Sequence, residues 1–163
     1  MVNIALVGCN GKMGKAVTSA VQSRNDCEIV FGADPFGTPA YDYPVFESLA
    51  VSDKKADVII DFSNPASLDD ILAYALEKKI PCVLCTTGYS PEQVEKIKKA
   101  SESVAVFYSG NMSLGINLLI ELSKEAAKIL GAADFDIEIV EKHHNQKLDA
   151  PSGTALALAV LHL

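Results

Sequence analysis

The chain has 163 residues, 49% of them hydrophobic and 21% charged, with a net charge of −7. That mixture excludes a disordered chain, and 14 Lys and Arg against 21 Asp and Glu lack the basic face that nucleic-acid phosphates require. Apolar runs such as residues 80–85 and 104–108 are strand-sized, and no run approaches the roughly 18 residues of a membrane helix.

The first elements are short and sharply bounded. Val2–Val7 is an apolar run that stops at glycine, and residues 12–24 place Met13, Ala16, Val17, Ala20 and Val21 at helical spacing, which predicts strand, tight turn, helix. No basic n-region follows Met1 and Gly8 would break an h-region, so a cytoplasmic protein is expected. Residues 28–33 form a second strand ending at Asp34; two prolines and a glycine then make residues 35–39 a loop, and residues 45–51 carry at most a short strand and a turn.

Residues 58–62 are the next strand, and residues 65–79 a helix opened by Ser63-Asn64-Pro65. Residues 81–85 are again strand, Ser90-Pro91 caps a helix running to about Ser101, and residues 104–108 follow as strand. Near-continuous apolar strands alternating with helices predict a parallel sheet covered on both faces, so residues 1–111 read as a doubly wound α/β domain. From Ser113 the pattern changes to a long helix over residues 114–130, a strand over 135–141, a polar loop over 142–151 and a helix over 152–161, the start of a second, α+β unit at residues 112–163.

The four cysteines are expected to be reduced thiols. Cys82 and Cys85 form a C-x-x-C, but residues three apart on a strand point to opposite faces, so they read as packed core thiols, not a metal pair.

Between the first strand and the first helix stands Gly8-Cys9-Asn10-Gly11-Lys12-Met13-Gly14. Glycines in that context allow a tight turn and let a pyrophosphate approach the amides of a helix start, as in Rossmann-type dinucleotide-binding domains. Lys12 adds a point charge. Asp34 ends the second strand, where a carboxylate accepts hydrogen bonds from an adenosine ribose. Asp34 repels a 2′-phosphate and is followed by Pro35 in place of an arginine, which favours NADH at least as much as NADPH; Lys12 leaves use of both open. Cys85-Thr86-Thr87-Gly88 and Ser109-Gly110-Asn111-Met112 follow later strands on the same rim and are candidate cofactor contacts.

Residues 141–154 gather two of the chain's three histidines with two lysines and an expected helix start. Gly153 and Thr154 at that start offer backbone amides to a carboxylate. His143, His144 and Lys147 offer the cationic or proton-donating groups a dianionic substrate needs. Zinc would need more ligands than two adjacent histidines, and no Ser or Cys stands in a nucleophile elbow.

The run E-x-H-H-x-x-K-x-D-A-P-S-G-T-A from Glu141 to Ala155 resembles the signature of the dihydrodipicolinate reductases of bacterial lysine synthesis. The G-x-x-G-x-M-G turn, Asp61-Phe62-Ser63, Thr86-Thr87-Gly88 and Asn111-Met112-Ser113-Leu114-Gly115-Ile116-Asn117 occur in the same order as in that family, across essentially the whole chain. The resemblance implies reduction of a cyclic dicarboxylate, dihydrodipicolinate or its hydroxylated precursor, by NADH or NADPH lying across the glycine turn. It makes His143 a proton donor or acceptor and Lys147 the second catalytic group. His144, Gly153 and Thr154 would hold the substrate carboxylates. It also implies a homotetramer built by strands that follow the helix beginning at Ser152, so that a chain ending at Leu163 would leave apolar faces of its second unit uncovered. The chain departs from the family at Cys85, at Gly110, and at Lys12 or Asn145. Two other functions fit the first domain alone: a different nicotinamide oxidoreductase, and a noncatalytic nucleotide-binding module.

Overall fold

The computed structural model describes residues 1–36, 41–143, 145 and 150–159, and the chain divides into two units, Met1–Gly110 and Asn111–Leu163. In the first unit the apolar runs become six parallel strands: β1 (Val2–Val7), β2 (Cys27–Ala33), β3 (Val45–Phe46), β4 (Val58–Asp61), β5 (Cys82–Leu84) and β6 (Val106–Tyr108), in the order β3-β2-β1-β4-β5-β6. The chain winds outward from β1 in both directions, so the order reverses between β1 and β4, which is where open parallel sheets form their ligand crevice. β3 is the short strand expected within residues 45–51, and the Asp34 amide bonded to the Phe46 carbonyl (2.8 Å) holds it in the sheet.

Period-two alternation sends neighbouring side chains of β1 to opposite faces. Ala5 and Val7 join Phe31, Ile59, Leu68, Ile71 and Ile97 in one core. Ile4 and Leu6 join Cys9 and Ile29 in the other, against Val17 and Val21. Helix α1 (Lys12–Gln22) covers the second face; α2 (Leu68–Lys78) and α3 (Pro91–Ser101) cover the first. Phe31, Leu6 and Ile59 are fully buried, and each such side chain contributes roughly 1.5–3 kcal/mol by leaving water.

The helix ends follow from local chemistry. Asn64 accepts from the Ala66 amide (2.9 Å) and starts a 3₁₀ turn, Pro65–Ser67, so the helix expected from residue 65 becomes α-helical only at Leu68. Lys79, at φ 55, ends α2 in the left-handed region. Ser90 and Gln93 form a reciprocal capping box on α3, and the Gln93 side chain also donates to the Pro65 carbonyl (2.6 Å).

In the second unit, α4 (Leu114–Gly131) is capped by Ser113, whose hydroxyl accepts from the Ile116 amide (3.3 Å), and α5 (Gly153–Ala159) follows Ser152. The strand expected over residues 135–141 does not form: Phe135, Ile137, Ile139 and Val140 are exposed, and no sheet ladder reaches them among the described residues. A strand needs a neighbour to take its amides and carbonyls, and the described part of this unit offers none. No helix among the described residues is long and apolar enough to cross a membrane.

Candidate functional site

Gly8 follows β1 with φ +75, and a Cβ there would lie 2.5 Å from the Phe62 carbonyl oxygen. Only glycine therefore lets this turn pass against the turn that leaves β4. At Gly14 a Cβ would lie 2.3 Å from the Gly8 carbonyl oxygen, so helix α1 packs directly onto the turn. Gly11 caps α1 without a side-chain hydrogen bond, which leaves the first amides of an eleven-residue helix without an intrahelical or side-chain acceptor.

Asp34 is tied to the same turn. Its carboxylate accepts from the Asn10 amide through Oδ2 (3.0 Å) and from the Phe36 amide through Oδ1 (2.9 Å). The Asn10 side-chain amide donates back to the Phe36 carbonyl, and the Tyr41 hydroxyl donates to the Cys9 carbonyl (2.8 Å). The segment after β2 is thus stitched to the glycine turn, and each Asp34 oxygen keeps one acceptor position.

These elements border a cleft of about 550 Å³ whose walls include Gly8, Gly11, Asp34, Phe36, Glu47, Leu49, Ser63, Asn64 and Asp70. Its volume suits a small ligand. Of the expected cofactor residues, Gly8, Gly11 and Asp34 line it, while Asn10 stands behind Asp34. Cys9 is fully buried in the core, and burial, followed by Asp34, pushes its thiol up to about 11, so only its backbone faces the turn. Lys12 and Met13 lie on the exposed surface of α1, outside the cleft walls.

The later loops meet elsewhere on the rim. Cys85 and Thr86 are buried, Thr87 is exposed, and a Cβ on Gly110 would lie 3.3 Å from Thr87 Cγ2, which places the β5 and β6 turns side by side. Ser109 donates its amide to the Leu84 carbonyl (3.1 Å). Beneath them Asp61, fully buried at the end of β4, accepts from the Ser63 amide (2.9 Å), the Ser63 hydroxyl and the Tyr89 hydroxyl (3.1 Å). Asp61 therefore fixes the β4 turn that walls the cleft and anchors the segment that follows Gly88. Burial pushes the Cys82 and Cys85 thiols up to about 11, as expected of packed core thiols, and no metal-binding cluster occurs among the described residues.

In the second unit, Asn111 accepts from the Ser113 amide (2.9 Å) and Met112 is exposed. His143 Nε2 lies 2.8 Å from Glu141 Oε2, and Glu141 Oε1 accepts from the Ser152 amide (2.9 Å). Its hydrogen bonds to Ser152 first, then to His143, hold the Glu141 carboxyl down at about 2. Glu141 so joins His143 to the segment opening α5, where Gly153 and Thr154 stand. His144 and Lys147 lie outside the described residues.

Several site residues escaped sequence reasoning. Glu47 and Leu49 follow β3, a two-residue strand with no readable period. Ser63 and Asn64 had a usable signal, since they end the strand adjacent to β1 at the switch point. Glu141 was visible only as part of a motif, because its role depends on a contact eleven residues along the chain.

Residues 2–112 match the family described as "Dihydrodipicolinate reductase, N-terminus", and residues 115–162 the one described as "Dihydrodipicolinate reductase, C-terminus". A 4-hydroxy-tetrahydrodipicolinate reductase of Clostridium tetani is 54% identical over 98% of this chain, and that of Clostridium novyi 49% identical over 97%. The chain spans 62% of the length of each. Among solved structures, a dipicolinate-bound dihydrodipicolinate reductase from Paenisporosarcina sp. TG-14 is 31% identical, with a TM-score of 0.75 over 99% of this chain and 65% of that one. An oxidoreductase from Agrobacterium radiobacter shares the fold at 15% identity and a TM-score of 0.55, covering 81% of this chain and 40% of that one.

Proposed function

The chain belongs to the dihydrodipicolinate reductase family, and from that membership we propose that it takes part in the reduction of 4-hydroxy-tetrahydrodipicolinate or dihydrodipicolinate by a nicotinamide dinucleotide, a cytoplasmic step of lysine and diaminopimelate synthesis. Residues 1–111 form the dinucleotide-binding domain and residues 112–163 belong to the substrate-binding and tetramer-forming domain of a homotetrameric enzyme.

The observation that carries this reading is the Gly8–Asp34 arrangement at the switch point. The residues present fit a dinucleotide: glycines keep Cβ atoms out of a helix start with uncapped amides, and Asp34 is held with acceptor positions to spare. When bound, the reduced nicotinamide would supply the hydride. Gly8 and Gly11 would border the pyrophosphate and Asp34 would accept from ribose hydroxyls. The loops at Cys85-Thr86-Thr87 and Ser109-Gly110-Asn111-Met112 would complete the cofactor contacts.

Glu141 keeps His143 oriented by accepting from one ring nitrogen, leaving the other ring nitrogen to hold or give up a proton to substrate. Lys147 would serve as the second catalytic group, and His144, Gly153 and Thr154 would take the substrate carboxylates. The test is spectrophotometric: oxidation of reduced nicotinamide with enzymatically generated dihydrodipicolinate. Turnover is expected to depend on dihydrodipicolinate and to fall roughly 10²–10⁴-fold in His143→Ala with dinucleotide binding intact. Dinucleotide binding without turnover on this substrate would leave a noncatalytic nucleotide-binding module, and turnover on a sugar or semialdehyde instead would make the protein another nicotinamide oxidoreductase.

A further inference from the structure

We propose that the cleft selects NADH over NADPH, and that Glu47 is the residue that completes the selection, acting beside Asp34. The inference rests on the cleft being a dinucleotide site and goes beyond it in naming which dinucleotide is rejected and by what.

The register of the sheet brings the two carboxylates together. β2 and β3 pair in parallel with Gly32 opposite Val45 and Ala33 opposite Phe46, so Asp34 and Glu47 are the next residues of adjacent strands, whose backbones run about 4.8 Å apart. The Asp34 amide bonded to the Phe46 carbonyl (2.8 Å) carries the pairing one step past β2. Both residues line the cleft. Asp34 is fixed by the Asn10 and Phe36 amides, whereas Glu47 is exposed, and neither has an ion-pair partner among the described residues.

Among the described residues no lysine or arginine stands in the cleft wall with these charges. From Arg24 to Lys54 the sequence contains no other Lys or Arg. Asp70, which also lines the cleft, adds a third carboxylate. A 2′-phosphate carries between one and two negative charges at neutral pH, roughly −1.5 to −2 as for other phosphate monoesters, and would replace a hydroxyl that donates to Asp34 with a group that cannot. Asp34 has a use with either ribose hydroxyl; Glu47 acts mainly through its charge, which a neutral ribose does not oppose. Lys12, next to Gly11, is exposed and does not line the cleft.

Calorimetric titration with NADH and with NADPH tests this at low and high salt. NADH is expected to bind at least about tenfold more tightly, with the gap narrowing as salt screens the carboxylates. Glu47→Gln should tighten NADPH several-fold and leave NADH within about twofold, with the thermal transition unchanged because the side chain is exposed. NADPH binding as tightly as NADH would overturn the selection, and a Glu47→Gln protein that moves both ligands equally, or neither, would remove Glu47 from it. If neither dinucleotide binds, the dinucleotide site itself is overturned, and this inference with it.

Discussion

Glu141 shows how much of a residue's role depends on distant backbone. Its carboxyl is drawn from the ordinary value near 4.5 down to about 2 by Ser152 and then by His143. A carboxyl whose folded value is depressed stabilises the fold above its ordinary value and loses that contribution as pH falls toward the folded one. The contact between the His143 segment and Ser152 should therefore persist through pH 4.5 and fail only near pH 2. Followed by NMR during acid titration, the Ser152 amide proton should shift with a midpoint near 2, and the step should vanish in Glu141→Gln. A midpoint near 4.5 would mean that the carboxyl does not bridge the two segments in solution. His143, Gly153 and Thr154 were readable from the sequence as chemistry-bearing types in one short stretch. Glu141 was not, because its partner is a backbone amide, which no side-chain pattern announces.

The glycine turn is the element whose sequence and structure agree most closely, because each glycine answers a close approach that any side chain would block. At Gly14 an added Cβ would sit 2.3 Å from the Gly8 carbonyl and 2.5 Å from Cys9 Cα, both backbone atoms that cannot swing aside. Gly14→Ala should cost about 1–3 kcal/mol in urea unfolding with the slope unchanged, and should weaken NADH binding. Gly131→Ala is the control: nothing lies within 4 Å of its Cβ position, so its midpoint should stay put or rise by up to about 1 kcal/mol equivalent. Equal effects at both positions would show that packing at the turn is not what glycine provides. Other elements were less legible. The two residues of β3 are too few for a period, and they are held by pairing with β2. Residues 135–141 alternate Phe135, Ile137 and Ile139 as a strand should, yet alternation records only which face is apolar, and a ladder requires a partner.

Across the whole molecule the two units are built differently. Among the described residues every buried hydrophobic side chain except Ala155 lies in Met1–Gly110. In Asn111–Leu163, by contrast, α4 buries none of its residues, and Leu114, Leu118, Leu122 and Ile129 are more than half exposed. Stability follows buried apolar area, so the first unit carries nearly all of the hydrophobic driving force visible in the fold. It also carries the cleft, whose wall residues among those described fall between Val7 and Ile71. A protein consisting of residues 1–112, which keeps the loop from Ser109 to Met112, should therefore unfold in one cooperative urea transition and bind NADH within about threefold of the full chain, a change of under roughly 1 kcal/mol. Calorimetry and urea titration of the two proteins side by side check both statements. Loss of the cooperative transition would mean that the first unit draws its stability from the second, and a cooperative fragment with no NADH binding would mean that residues beyond Met112 supply contacts the cleft lacks.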